Sequence, residues 1–154
     1  SLFRQIIKDQ KLNLKKSYFK NGVKLGEQLL APTKLYVNEV LAVAATFKVT
    51  ALAHITGGGI LENLPRVIPA KYLAVLQKDQ IPVPELFRFF QQKGSVPEQE
   101  MWRVFNMGIG MVMVVSAKQT QDVLKLLNKT TTQAFEIGRI VKNEQQKENN
   151  VEII

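Results

Sequence analysis

The chain has 154 residues, no cysteine and a formal net charge of +8, with 45% apolar and 22% charged residues. That size and composition predict one soluble globular domain with a real core. They exclude a disulfide framework, a thiolate metal site and a cysteine nucleophile, and no apolar run is long enough to cross a bilayer. The chain does not open on the basic-then-apolar pattern of a secretory signal, so a cytoplasmic setting is expected.

The charge is local, because residues 1–34 hold eight Lys or Arg against two acids. One reading is an electropositive surface that steers phosphorylated metabolites or nucleic acid. The other is a solvated helix face rich in lysine. Lys11, Lys15 and Lys16 are not interleaved with aromatics, and Tyr18 and Phe19 are adjacent rather than spaced, which argues against a single-strand stacking platform.

Leu2, Phe3, Ile6 and Ile7 recur at helical spacing, so a helix opens the chain, as expected where another domain precedes it. A short helix over 23–30 is closed by Pro32. Lys34 to Val37 read as a strand or extended segment, and 38–47 as a helix with Val40, Leu41, Ala44 and Phe47 on one side. Ala51 to Thr56 fit either a buried strand or the last turn of a helix. Asn63 and Pro65 predict an N-cap and first turn for a short helix over 64–68. Tyr72 to Gln77 alternate as a strand, and Pro82 and Pro84 precede a helix from Glu85 to Lys93. In that helix Leu86, Phe87, Phe89 and Phe90 form a core stripe.

Ser95 and Glu98 have capping-box spacing ahead of a helix in which Met101, Trp102 and Phe105 share a face. Gly108 to Val115 is nearly all apolar, the pattern of a central strand covered on both faces, and Met107, Met111 and Met113 read as core filler. Ser116 and Gln119 suggest a second capping box for a helix to about Leu127, with Val123, Leu124 and Leu127 inward. Ala134 to Val141 predict a last strand. Residues 1–141 therefore form one domain. Residues 142–154 form a polar, flexible tail whose Val151 to Ile154 either add a strand or fray. There is no internal repeat. The alternation of elements gives an α/β fold of α+β type, a sandwich with a mixed sheet.

Chemistry concentrates in Ala53-His54-Ile55-Thr56-Gly57-Gly58-Gly59-Ile60-Leu61-Glu62-Asn63-Leu64-Pro65-Arg66. Three successive glycines give up side-chain packing and suit either positive φ or close approach of a ligand to main-chain N–H groups, anions above all. The competing reading is a tight strand-to-helix turn with no guest. His54 can bond a phosphate or exchange a proton near neutral pH, or sit hydrogen-bonded in the core. Glu62 and Asn63 either position a substrate or cap a helix. Arg66 either clamps a phosphate with its planar fork or pairs with Glu62. Asn106, Gly108 and Gly110 are a second constellation, its glycines placed to bare one strand face to a ligand or to a packed neighbour.

The His54 to Arg66 run, with Leu30-Ala31-Pro32-Thr33-Lys34-Leu35-Tyr36-Val37 before it and Phe105-Asn106-Met107-Gly108-Ile109-Gly110-Met111 after it, resembles the C-terminal half of the phosphoribosylformylglycinamidine cyclo-ligases, or aminoimidazole ribonucleotide synthetases, across residues 2–141. The resemblance implies a three-layer helix/sheet/helix arrangement, partly ferredoxin-like. It also implies an activity: ATP activates the formyl amide oxygen of formylglycinamidine ribonucleotide, and an internal nitrogen then closes the imidazole ring, releasing ADP and phosphate. On that basis His54 and Asn106 are candidate catalytic residues. Thr33, Lys34, Thr56, Gly57, Gly58, Gly59, Glu62, Asn63, Arg66, Gly108 and Gly110 are candidate substrate or phosphate contacts, Thr33 and Lys34 on the resemblance alone. Asp9, Asp79 and Asp122 are the only aspartates and lie far apart, so no carboxylate pair suits magnesium. ATP and Mg2+ are then expected mainly on a preceding N-terminal domain, this piece being inactive alone. The expected partners are the ribonucleotide, ATP, that domain and possibly a second copy, with no nucleic acid and no membrane. The alternatives are another oxygen-activating enzyme of the same superfamily, or a non-catalytic binding or assembly module.

Overall fold

The computed structural model describes residues 1–130 and 132–154. Two sheets carry the helices. In the first, β1 (Val49–His54) runs antiparallel to β3 (Met111–Val115), pairing His54 with Met111 and Ala53 with Val112. In the second, β2 (Tyr72–Leu76) is central, antiparallel to β4 (Gly138–Lys142) and parallel to β5 (Val151–Ile153). The α+β class and the mixed sheet are therefore present, with the strands shared between two sheets.

The strand flanked on both edges is β2, whose Leu73 to Leu76 are all buried. That corrects the central place expected for Gly108 to Val115, although apolar clusters do lie on both faces of the strand found there. Met107 and Gly108 take positive φ, so β3 starts only at Met111 and pairs with β1 alone among the described residues. Its side chains alternate: Met113 and Val115 face a cluster around Val43, Val123 and Leu127, whereas Val112 and Val114 face the main core of Ile55, Ile60, Leu64, Ala74 and Trp102.

The helices are α1 (Leu2–Asp9), α2 (Leu25–Leu29), α3 (Val37–Thr46), α4 (Gly59–Asn63), α5 (Glu85–Gly94), α6 (Glu98–Val104) and α7 (Thr120–Leu127). α1, α2 and α5 share a core of Ile6, Phe19, Leu25 and Phe90, with Phe3 stacked on Phe90 at 3.9 Å and on Phe105 at 4.2 Å. The phenylalanine stripe of α5 is core, as its spacing suggests, and so are Met101 and Trp102 of α6.

Local signals were misread where a side chain had a better partner. Lys34 to Tyr36 lie outside any strand, and Val37 already belongs to α3. α3 buries Val43, while Leu41 and Ala44 are exposed. Neither capping box forms: Ser95 ends α5 in the left-handed region at φ 46, and Ser116 Oγ meets Gln119 Oε1 at 3.0 Å instead of an amide. The strand expected over Ala134 to Val141 is the shorter β4. Polar composition suggests a free tail after it, but the structure describes a turn: Asn143 Nδ2 donates to Ala70 O, buried Asn150 donates to Ile68 O at 2.6 Å, and β5 follows.

Candidate functional site

Two turns distant in sequence lie side by side. The first joins β1 to α4 through Thr56 to Gly59. Gly58 and Gly59 have φ of +91° and +58°, a region that side chains avoid. A Cβ on Gly59 would run into the main-chain carbonyls of Trp102 and Phe105 at the end of α6, and the Gly59 N–H donates to Thr56 O at 3.1 Å. Gly59 is thus a close-packing glycine. Gly57 differs, since nothing lies within 4 Å of its Cβ position and it is exposed beside exposed Thr56. The two readings of the glycine run divide between its residues: the inner end packs and the outer end is open.

Asn63 does not cap the turn that follows. Its buried side chain reaches back, donating to Gly57 O at 3.0 Å and Gly59 O at 2.7 Å, and so fixes the loop's shape. Helix α4, unforeseen in the sequence, carries it there; Leu64 to Val67 then form a 3-10 turn. Exposed Glu62 packs beneath Gly58 and pairs with Arg103 of α6 at 3.7 Å. Of the two readings of Arg66, the pairing with Glu62 is not found, since Glu62 pairs with Arg103. Arg66 is exposed on the 3-10 turn, with no ion-pair partner among the described residues.

The second turn leads from α6 into β3. Asn106 Oδ1 accepts the Gly108 N–H at 3.1 Å, and Asn106 O accepts the Ile109 N–H at 2.8 Å. Gly108 sits at φ +92° against the Pro84 ring, and a Cβ on Gly110 would meet the Tyr36 ring, with Cζ only 2.6 Å away. These glycines lie in a turn rather than a strand, and packed neighbours fill their bare sides. Gly110 O accepts the Ile55 N–H at 2.9 Å. With Gly59 seated on Phe105, this bond holds the two motifs together at both ends.

His54 ends β1 exposed, so it is no core histidine. Tyr36 stands edge-on to it, ring centroids 6.1 Å apart. Lys34, Tyr36, Gly108, Gly110, Phe135 and Ile137 line a cleft of about 170 Å³. Thr33 is exposed and does not line the cleft. Lys34 Nζ donates to Thr132 Oγ1 at 2.5 Å and lies 3.6 Å from Glu39, whose carboxylate accepts from the same hydroxyl. The Thr132 hydrogen bond above all, then the residue's own amide and Lys34, hold Glu39 below the usual carboxylate value against the opposing effect of burial. Partial burial first, and Glu39 second, push the Tyr36 phenol up, so it stays a proton donor at neutral pH.

Sequence reading missed Tyr36, Glu39 and Arg103 as members of the site. Tyr36 stood in a quoted motif, but nothing local says that it covers Gly110. Among the described residues no three His, Asp or Glu side chains gather to hold a metal ion. The arrangement offers exposed main chain, cations and one titratable imidazole, but no acid cluster.

Residues 1–148 match the family described as AIR synthase related protein, C-terminal domain. The chain belongs to this family. Its similar relatives include phosphoribosylformylglycinamidine cyclo-ligases of Caldicellulosiruptor bescii, 44% identical over 94% of this chain and 43% of the relative, and of Citrifermentans bemidjiense, 46% identical over 82% and 36%. That of Syntrophus aciditrophicus is 39% identical over 96% of this chain and 43% of its own length. The chain spans less than half the length of these relatives. No helix among the described residues is long and apolar enough to cross a membrane.

Proposed function

We propose that this chain is the substrate-side domain of a cytoplasmic phosphoribosylformylglycinamidine cyclo-ligase, which uses ATP to close the imidazole ring. The observation that carries this reading is the joining of the two turns, Thr56 to Gly59 and Asn106 to Gly110, by the Ile55 to Gly110 hydrogen bond and the seating of Gly59 on α6. Family membership of a chain similar to cyclo-ligases supports it.

In this reading Thr56, Gly57 and Gly58 present main chain to a phosphate, with Arg66 supplying a guanidinium fork. Lys34 stands at the cleft, with exposed Thr33 before it in the chain. Exposed His54 exchanges a proton with the reacting amide, and Asn106 shapes the turn beside it. Gly59, Gly108, Gly110 and Asn63 hold the main chain in place rather than touching substrate, and Glu62 sets Arg103. Magnesium does not fit this chain, which has no carboxylate cluster among the described residues. When bound elsewhere in the full-length ligase, the ion would neutralise phosphate charge.

The test is ADP release by the full-length protein. Release that requires formylglycinamidine ribonucleotide, and that falls at least tenfold in the full-length His54→Ala variant, is the expected outcome. ATP hydrolysis indifferent to that nucleotide would instead favour another oxygen-activating activity of the superfamily. No hydrolysis under any condition would leave a binding or assembly module.

A further inference from the structure

Tyr36 immediately precedes α3, and its main-chain carbonyl accepts the Val40 N–H at 3.0 Å. That bond fixes the backbone, and a tyrosine has only two side-chain torsions to order, so holding its ring in place costs little entropy. The ring lies across Gly110. A Cβ at that position would overlap the phenol, with Cζ 2.6 Å away. Unlike Gly58, Gly59 and Gly108, Gly110 has no positive φ, so the phenol rather than the backbone is what requires glycine there. The same ring stands at 63° to the His54 imidazole, centroids 6.1 Å apart, and Lys34 Nζ lies 5.9 Å from its centroid. The fold gives the hydroxyl nothing to do. It makes no hydrogen bond among the described residues, while Lys34, Thr132 and Glu39 nearby bond one another. No buried side-chain polar atom among those residues lacks a partner, so this hydroxyl is open to the cleft that Tyr36 lines.

Partial burial and, second to it, Glu39 keep the phenol protonated at neutral pH, so it can donate as well as accept. A phosphate calls for charge or for main-chain N–H groups. A neutral hydroxyl packed beside an imidazole suits a neutral amide oxygen instead. We infer that Tyr36 is a specificity-determining residue, whose hydroxyl donates a hydrogen bond to the formyl amide end of the ribonucleotide beside His54, and that residue 110 is glycine in order to admit the phenol. The inference rests on the cyclo-ligase reading for the identity of the ligand. A site that hydrogen-bonds its ligand rejects analogues lacking the bonded group, because the donor is then left unpaired. Tyr36 thus selects for the amide, while the Thr56 to Gly58 turn serves the phosphate that many metabolites share.

Calorimetric titration of the full-length protein with formylglycinamidine ribonucleotide, in the presence of a non-hydrolysable ATP analogue, tests this. Tyr36→Phe keeps the ring over Gly110 and removes only the hydroxyl. The expected result is a Kd raised at least about fivefold with the melting temperature unchanged. Affinity for ribose 5-phosphate, which lacks the amide, should change by less than about twofold. Gly110→Ala forces the phenol aside and should weaken the ribonucleotide to a similar degree, and the double variant should bind no worse than the weaker single one, since both remove one contact. Where Gly110→Ala does not fold, Tyr36→Phe carries the test alone. An unchanged Kd in Tyr36→Phe overturns the inference. So does an equal loss for both ligands, which would make Tyr36 a phosphate contact, or a lowered melting temperature, which would make its hydroxyl structural. Ribonucleotide binding that Tyr36→Phe weakens, in a protein that releases no ADP from ATP, would sink the cyclo-ligase reading and leave the contact standing. Active protein with an unchanged Kd in Tyr36→Phe would do the reverse, and no binding by the wild type overturns both.

Discussion

What a single methyl group meets separates the glycines of the Thr56 to Gly59 turn. In Gly59→Ala the new carbon meets two carbonyls at φ +58°. Strain alone should cost about 1–3 kcal/mol, visible as a lower melting temperature. Gly57→Ala points into open space, and its stability should stay within about 0.5 kcal/mol of the parent. A calorimetric comparison that ranked them in the opposite order would show that the loop is built differently. Asn63→Ala strips two carbonyls of their donor and should cost about 1–3 kcal/mol by denaturant titration. The glycine run was conspicuous in the sequence, but the division of labour within it was not. The carbonyls that decide it belong to Trp102 and Phe105, far along the chain, and Asn63 reaches backward rather than forward as a cap would.

Glu39 shows the same dependence on remote partners. Thr132, which lowers its pKa, comes from the connection after α7, so nothing near Glu39 in sequence announces the network. The folded value lies below the unfolded one of about 4.3. The stabilisation is therefore full above the unfolded value and fades as pH falls through the lower folded one. Glu39→Gln should flatten the acid limb of stability against pH below about 5, while leaving the neutral and alkaline side unchanged in shape.

Between elements, aromatic packing carries the docking of α1 onto α5. Phe90 is fully buried, stacked on Phe3, which also stacks on Phe105 ahead of the second turn. Phe90→Ala should cost about 3–5 kcal/mol, and an unfolding midpoint unmoved by it would refute this account of the N-terminal core. The helical stretches were legible because their apolar spacing is set by burial on one side, as in α5 and α7. The strands were legible as strands but not in their places. Both β2 and β3 are apolar runs, and which of them gains a second neighbour depends on β4 and β5 arriving from the end of the chain. α3 is apolar nearly all round, so periodicity cannot choose its face: Val40 and Phe47 are part-buried, while Leu41 and Ala44 of the same stripe are exposed.

The interior of the whole molecule is made of three apolar clusters. Lys34 is answered by Glu39 and Arg103 by Glu62, yet no three acids or histidines gather to hold a metal ion among the described residues. The sequence shows directly that its three aspartates lie far apart, since spacing along the chain needs no geometry. It could not show that the two glycine motifs lie together, on which the proposed function rests. The most direct test is an NMR titration of the chain with ribose 5-phosphate, followed at backbone amides. Shifts should centre on Thr56 to Gly58 and on Ile109 and Gly110, and Gly57→Val should weaken them while Lys15→Ala does not. Shifts confined to the lysines of residues 8–24, or none at the two turns, would contradict the account.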